Sequence, residues 1–468
     1  MRQRITFVHE PQDGIDPKSI GIHTNTLSVS GLKAAREDHI TLSLDELPQD
    51  LRVALSQTKE LHIRYVTPAS YESIPPFNSQ LSPGLHVYYT PKTEVGKEGQ
   101  EGVYEYYLRE SALSPAGGAS ALQSYFKRIC ASTTCRTRID EGVTAASIDL
   151  DFSSSSNTAT ITTSWSPRTW TSVAVSKIDH TDRVELGILS NEKPIRPDDL
   201  NMSGFLTVLG ESEKPAPTMF QFPSRHHKHA AKFSSSFIEP TGLHPTLQLS
   251  VSNSEPPKNR EGCRLNAHLM LPRSVFPDKY QFRDALFMAS KNLTALRHVT
   301  IPVDLEAPEY TMALWGSSLL IELAPPPPSE ESWTAEIPLH LRYLLPSGSG
   351  YSSTSLPSPV LFWACEADEE SKLEGNPFDR VNLGHDGLFG DKTLFYHLGR
   401  EKGEEGAGDG GGGVAGVWVG VVEVVGVGRG VGYGRGGEGR GDGYGRGGGG
   451  RWKGRRSDGG AKVEGKEE

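Results

Sequence analysis

The stretch CRLNAHLMLP (263–272) opens the part of the chain that decides the fold, and PSPVLFWAC (357–365) closes it. Apolar residues alternate with polar ones across this part, and prolines interrupt the alternation. A period of two predicts half-buried strands, which proline ends. The predicted strands are 265–271, 314–323, 337–345 and 357–365. Because these strands are short and regularly spaced, they predict an antiparallel sheet or sandwich.

The preceding residues show the same pattern of short apolar runs between turns, which makes the predicted fold class mainly β. The runs are 5–8, 40–44, 61–66, 85–89 and 103–108, followed by a serine- and threonine-rich hairpin over 148–175. Short helices are predicted within 47–56 and over 119–129, whereas 280–290 fits a helix and a strand equally well. Residues 191–260 are polar and interrupted by prolines, and linkers are predicted at 211–217 and 252–260.

Composition divides the 468 residues into three regions. We predict an N-terminal β-rich region over 1–255, a sandwich-like β domain over 256–398 and a low-complexity tail over 399–468. The tail is rich in glycine and arginine and cannot bury a core, so it is predicted to be disordered. The formal charge of -10 argues against nucleic-acid binding, because phosphate contacts need a basic face.

The chain has no obvious membrane-targeting segment. The N-terminus MRQRITFVHE (1–10) contains no apolar run of useful length, so no cleavable signal peptide is expected. No run of about 18 or more apolar residues is present, so no ordinary membrane span is predicted. The one apolar piece of the tail, 414–427, is interrupted by glycines and by Glu423, and a central carboxylate costs about 2.5–3.5 kcal/mol in a membrane.

Two motifs imitate metal sites. Asp149 and Asp151 have the D-x-D spacing of some glycosyltransferases, but they fall in a strand pattern and are predicted to share its solvent face. The tract RHHKH (225–229) is flanked by cations and is predicted to be a solvated loop. No G-x-S-x-G, H-E-x-x-H or P-loop motif is present. We therefore predict no catalytic residue, no metal site and no cofactor.

Four cysteines suit either redox compartment. Cys130 could pair with Cys135, and Cys263 with Cys365, in one of three possible connectivities. Free buried thiols are the alternative.

Two N-glycosylation sequons begin at Asn201 (NMS) and Asn292 (NLT). Such triplets occur by chance in many chains of this length. Either modification requires an exposed loop in the lumen of the secretory pathway.

Several blocks of the sequence resemble the fungal long form of the PIG-X family. The segments LMLPRSVFPDKYQF (269–282), IPLHLRYLLPS (337–347) and SLPSPVLFWAC (355–365) are similar to the family's domain. LSPGLHVYYTP (81–91) and DGLFGDKTLFYHL (386–398) are similar to parts of the fungal branch. The resemblance covers roughly residues 1–398. It implies a role as the partner of another protein and identifies no catalytic residues.

This resemblance implies a non-catalytic subunit of glycosylphosphatidylinositol (GPI) mannosyltransferase I in the endoplasmic reticulum. It implies a membrane-associated protein whose bulk is lumenal, whose partner is the catalytic mannosyltransferase subunit, and which stabilises that partner. A chaperone-like role for other lumenal proteins is also implied. The competing interpretation is a soluble interaction protein with a disordered tail like the RGG tails of RNA-binding proteins.

Overall fold

The computed structural model consists mostly of strands, which confirms the prediction of a mainly β protein. The structure describes residues 1–67, 72–92, 127–130, 133–177, 179–196, 198–211, 214–238, 243–252, 255–300, 304–312, 316–327, 332–346, 351–368, 371–401 and 420–425. The predicted strand 103–108 and most of the predicted helix 119–129 lie outside these residues, as does nearly all of the tail.

The first sheet is built from residues 2–223. Its strands are β1 (Arg2–His9), β2 (Ile20–His23), β3 (Thr26–Ser43), β4 (Thr58–Val66), β5 (Gly84–Pro91), β6 (Ser147–Ser153), β7 (Thr158–Ser176), β8 (Arg183–Glu192), β9 (Asp199–Val208) and β10 (Ala216–Pro223). Their order is β10-β9-β8-β1-β3-β7-β6-β4-β5, with β2 paired to β3 alone. Every pair is antiparallel except β1 with β8.

Two long strands, β3 and β7, connect the two halves of the first sheet's core. They pair along almost their whole length, from Thr26↔Ser176 to Ser43↔Thr158. Leu27 and Val173 belong to one buried apolar cluster, whereas Ile40 and Ile161 belong to another. The same strand pair therefore supports both clusters.

The second sheet begins directly after the first, at β11 (His226–Phe237). Its other strands are β12 (Thr246–Ser252), β13 (Arg264–Pro272), β15 (Leu293–Val299), β16 (Gly316–Leu323), β17 (Ser332–Pro338), β20 (Val360–Glu366) and β21 (Thr393–Arg400). The order is β15-β16-β13-β20-β21-β11-β12-β17, and only β11 and β21 are parallel.

This second sheet curls until its two edges come together. The backbone amide of Glu336, on edge strand β17, donates to the carbonyl of Lys291 just before β15 at 3.0 Å. The Asn292 side chain donates to the carbonyl of Thr334 at 2.8 Å. One large apolar cluster fills the inside and draws on all eight strands, with Trp363 at its centre only 2% exposed. Opposite halves of the sheet thus face each other across a core, as the layers of a sandwich do.

The remaining elements are short. They are β14 (Val275–Phe276), β18 (His340–Leu341), β19 (Tyr351–Leu356), β22 (Gly420–Val425), α1 (Gln49–Ser56), α2 (Thr133–Glu141) and α3 (Ala285–Ser290). Strand β14 pairs with β18, and β19 with β22. Among the described residues, none of the helices has the length and apolar character needed to cross a membrane.

Several strands predicted in 263–365 are confirmed, with β13, β16 and β20 close to the predicted bounds. The predicted strand 337–345 is shifted, because β17 ends at Pro338 and β18 adds only two residues. Strands β9 to β12 lie within 191–260 and expose their polar residues on one face, and the predicted linkers 211–217 and 252–260 overlap these strands only at Ala216, Pro217 and Ser252. The change of sheet comes between Pro223 and His226, so the predicted boundary at 255 falls after β12.

Candidate functional site

The two sheets meet across a buried layer of polar and aromatic side chains, which is our candidate functional site. Tyr88 of β5 packs on Met270 of β13. The side-chain amide of Asn78 donates to the carbonyl of His226 at 3.4 Å. On β13 the core residues 265, 267, 269 and 271 alternate with 266, 268 and 270, which face this layer. Both faces of the second sheet are therefore buried here.

Four histidines form the second sheet's side of the layer. His226, His268 and His397 come from β11, β13 and β21, and His385 comes from a short 3-10 turn. Each is at most 2% exposed. His226 Nδ1 lies 3.0 Å from His397 Nε2, while the ring of His385 stacks on Phe362 with centroids 4.6 Å apart.

Burial keeps these histidines neutral. Loss of hydration lowers the pKa of His268 and of His397 to about 3. It also holds the pKa of His226 and of His385 well below the ordinary value. Neutral imidazoles can still donate and accept hydrogen bonds, but they cannot supply a positive charge near pH 7.

A group of charged residues forms the first sheet's side of the layer. Arg64 of β4 is 1% exposed and donates to Asp151 Oδ1 at 2.9 Å. His62 Nδ1 lies 2.6 Å from the same oxygen, and Arg380 Nε lies 3.2 Å from Asp149 Oδ2. Each of the two carboxylates thus has a guanidinium partner, although the Asp151 side chain is partly exposed.

The pKa values of these groups follow from the competition between burial and charge. Burial alone would raise the pKa of Asp151, but Arg64 and His62 outweigh it and hold that pKa well below its usual range. For Asp149 burial dominates, so its pKa is raised although Arg380 and Arg64 oppose the change.

The prediction that Asp149 and Asp151 share a solvent face is wrong. Asp149 is 1% exposed, because a segment that includes Arg380 and Asn382 covers this face of the sheet. The Asn382 carbonyl accepts a hydrogen bond from Arg64 at 3.2 Å, and its side chain lies 2.8 Å from His62 Nε2. The carboxylates of Asp149 and Asp151 therefore pair with arginine side chains and are not arranged to bind the metal ion of a nucleotide.

The prediction that RHHKH (225–229) forms a solvated loop is also wrong. The tract begins β11, where His226 is buried and His227 stacks on Tyr396 with centroids 4.8 Å apart. Burial lowers the pKa of His227 to about 4. Within the described parts of the chain, no three His, Cys, Asp or Glu side chains are arranged to hold a metal ion.

The structure pairs all four cysteines. Cys130 is bonded to Cys135 beside α2, and Cys263 is bonded to Cys365, which joins the start of β13 to the neighbouring β20.

The two sequons differ in their surroundings. Asn292 is exposed in the turn before β15 and has a positive φ of 55°, and Thr294 is exposed within β15. Asn201 is partly buried within β9, where its side chain donates to the carbonyl of Lys193 at 3.2 Å.

A surface of exposed apolar residues lies at the end of the second sheet where β17 ends. This apolar surface consists of Leu243, Tyr280, Tyr310, Tyr343 and Leu345. Two backbone hydrogen bonds connect its segments, from Leu341 to Leu243 and from Glu309 to Tyr343. Tyr343 is 70% exposed, because the strand ends at Leu341.

The chain resembles known fungal proteins over most of its length. The family model described as PIG-X / PBN1 matches residues 240–423. Protein pbn1 of Neurospora crassa is 40% identical over 436 residues, which cover 85% of this chain and 86% of that protein. Protein pbn1 of Emericella nidulans is 39% identical over 85% of both chains. Protein PBN1 of Saccharomyces cerevisiae is 30% identical over 40% of this chain and 42% of its own.

Proposed function

This chain belongs to the PIG-X / PBN1 family, and from that premise we propose that it is a non-catalytic subunit in GPI-anchor biosynthesis in the endoplasmic reticulum. More specifically, we propose that it binds and stabilises the catalytic subunit of GPI mannosyltransferase I, which adds the first mannose to the anchor precursor. The observation that carries the proposal is the 40% identity to a named family member over 85% of the chain. A partner that binds only the folded form of the catalytic subunit would stabilise it by mass action.

The buried layer is consistent with a supporting role. Its carboxylates are engaged by Arg64 and Arg380, and its histidines are neutral at physiological pH. Such side chains hold the two sheets together and are not free to act on a substrate. The apolar surface around Tyr343 supplies a place for a partner, since exposed apolar patches often mark protein interfaces.

A lumenal position is consistent with the cysteines and with one sequon. Disulfides persist in oxidising compartments such as the lumen of the endoplasmic reticulum, and both cysteine pairs are joined here. The Asn292 sequon is exposed, as a glycan would require. The competing RNA-associated interpretation rests on the tail, most of which lies outside the described residues.

The test is to express this chain in a Neurospora crassa strain that lacks its own pbn1. We expect the abundance of the catalytic mannosyltransferase subunit and the synthesis of GPI anchors to recover. A well-expressed chain that changes neither quantity would contradict the proposal. The pbn1 gene of Neurospora crassa, reintroduced in parallel, is the positive control.

A further inference from the structure

A second site lies on the surface beside the parallel strands β11 and β21. It is a cleft of about 580 Å³, within the size range of ligand-binding pockets in proteins. Lys228 and Lys232 of β11 and Arg400 of β21 line it, together with Ser358 before β20. None of these residues belongs to the buried layer or to the apolar surface.

The charge of the cleft is opposite to that of the chain. Three cationic side chains and two carboxylates, Glu72 and Glu401, line the cleft. It therefore carries one excess positive charge in a protein of net charge -10. Glu401 accepts a hydrogen bond from Ser252 at 3.0 Å on the neighbouring strand β12. Neither lysine ammonium group has a hydrogen bond or ion pair with a described residue.

The backbone makes room between these cations. The pairing of β11 with β21 shifts between Lys228 and Lys232, so that the two lysines oppose His397 and Gly399 across an irregularity in the ladder. Gly399 has no side chain, and a Cβ placed there would lie 3.8 Å from Lys232 Cγ. The glycine therefore leaves free space at the base of Lys232.

We propose that this cleft binds a phosphate-bearing ligand. Ammonium and guanidinium groups are the side chains that proteins use for phosphate, and the Ser358 hydroxyl adds a hydrogen-bond donor. The phosphate belongs either to an anionic lipid headgroup or to a soluble phosphate ester. This inference goes beyond the proposed function and does not depend on it.

The experiment uses the purified full chain and two probes. Flotation with phosphatidylcholine vesicles, with and without phosphatidylinositol, measures headgroup binding, and calorimetry with inositol 1-phosphate measures binding of a soluble ester. The test variant combines Lys228→Gln and Lys232→Gln. The matched control combines Lys18→Gln and Lys59→Gln, which remove two exposed lysines from the first sheet's side of the molecule. A second test variant, Gly399→Val, places a side chain beside Lys232 without removing charge and decides the result if the lysine variant does not fold.

We expect the native chain to bind, the lysine variant to bind about thirtyfold more weakly, and the control to bind as the native chain does. Binding only to phosphatidylinositol vesicles identifies a lipid headgroup, whereas binding to inositol 1-phosphate identifies a soluble ester. Four outcomes overturn the inference: no binding to either probe, native-like binding by a folded lysine variant, equal binding to vesicles of phosphatidylcholine alone, or equal weakening by the control. Because catalytic-subunit abundance is not measured, a negative result leaves the proposed function untouched.

Discussion

The imidazoles of His226 and His397 lie 3.0 Å apart, Nδ1 to Nε2, on strands that run parallel in the second sheet. At this distance one nitrogen donates a hydrogen bond and the other accepts it, so the accepting ring must be neutral. A proton added to the accepting ring would remove the bond, and a proton added to either ring would place a charge where water is excluded. The pair is therefore most stable while both histidines remain unprotonated.

Acidification should unfold the protein as the buried histidines gain protons. His268 and His397 have folded-state pKa values of about 3, whereas an unfolded histidine titrates near 6.5. A group whose pKa is lowered by folding binds more protons when unfolded, so stability is lost as pH falls below about 6.5. Each such histidine should cost about 2 kcal/mol at pH 5. Asp379, whose pKa burial raises to about 7, takes up a proton over the same range and offsets part of this loss.

Urea unfolding measured from pH 7.5 to pH 5 tests this expectation, with His385→Phe as the diagnostic variant. Neither ring nitrogen of His385 has a hydrogen-bond partner among the described residues, and the ring already stacks on Phe362. Phenylalanine should keep the packing and reduce the acid sensitivity, because burial lowers the pKa of His385 well below its ordinary value. A pH profile identical to that of the native chain would rule out this histidine as a contributor.

Removing the buried guanidinium of Arg64 should destabilise the first sheet strongly. Arg64→Met leaves Asp151 with only His62 as a partner and removes a favourable charge from Asp149. Loss of one partner from a buried ion pair costs about 3–5 kcal/mol. The matched control is Arg2→Met, because Arg2 forms an exposed pair with Glu185 and its loss should cost less than about 1 kcal/mol. Equal shifts in the urea midpoint for both variants would contradict this prediction.

The alternation of apolar residues correctly predicted which side chains of β13 enter the core, but it could not predict what covers the other face. His268 and Asn266 alternate with core residues, and a period of two assigns them to a shared face without saying that the face is buried. The same limit explains Asp149 and Arg64. Each is covered by residues around 380, which are more than 200 positions away in the chain.

Polar composition left the strands within 191–260 unpredicted. In β9 to β12 the apolar residues Leu200, Met202, Leu247 and Leu249 are buried at alternate positions, while the polar residues between them are more accessible. The signal for a strand was therefore present in the alternation, and the prolines between the strands concealed it. The parallel pairing of β1 with β8 could not be predicted from local sequence patterns, because the partners Arg2 and Arg183 are far apart in sequence.

The two disulfides should differ in their contribution to stability. Cys263–Cys365 closes a loop of 102 residues and joins neighbouring strands, whereas Cys130–Cys135 closes a loop of five. Loop-closure entropy predicts a loss of about 4.7 kcal/mol for the first and about 2 kcal/mol for the second when both cysteines become alanine. Urea unfolding of the two double variants, each compared with the native chain, measures this difference. Equal losses would show that loop length does not govern the effect.

Asn292 should carry a glycan in preference to Asn201. Asn292 and Thr294 are exposed, whereas Asn201 is partly buried within β9. We expect endoglycosidase H to increase the gel mobility of the native chain and of Asn201→Gln, but not of Thr294→Ala. Thr294→Ala removes the sequon while it keeps Asn292 at its positive φ. A mobility shift that survives Thr294→Ala would assign the glycan elsewhere.

The apolar surface should be where the catalytic subunit binds. Tyr343 and Leu345 are 70% and 61% exposed, so Tyr343→Ser with Leu345→Ser should leave the chain's own unfolding midpoint nearly unchanged. If both side chains enter the interface, each should contribute about 2 kcal/mol to binding, and co-purification of the catalytic subunit should be lost. The matched control, Ile195→Ser with Met219→Ser, alters two exposed apolar residues elsewhere, one in the connection between β8 and β9 (78% exposed) and one on β10 (79% exposed). Both variants remove exposed apolar side chains. Loss of the catalytic subunit in the control alone would therefore contradict the prediction and place the interface beside the first sheet.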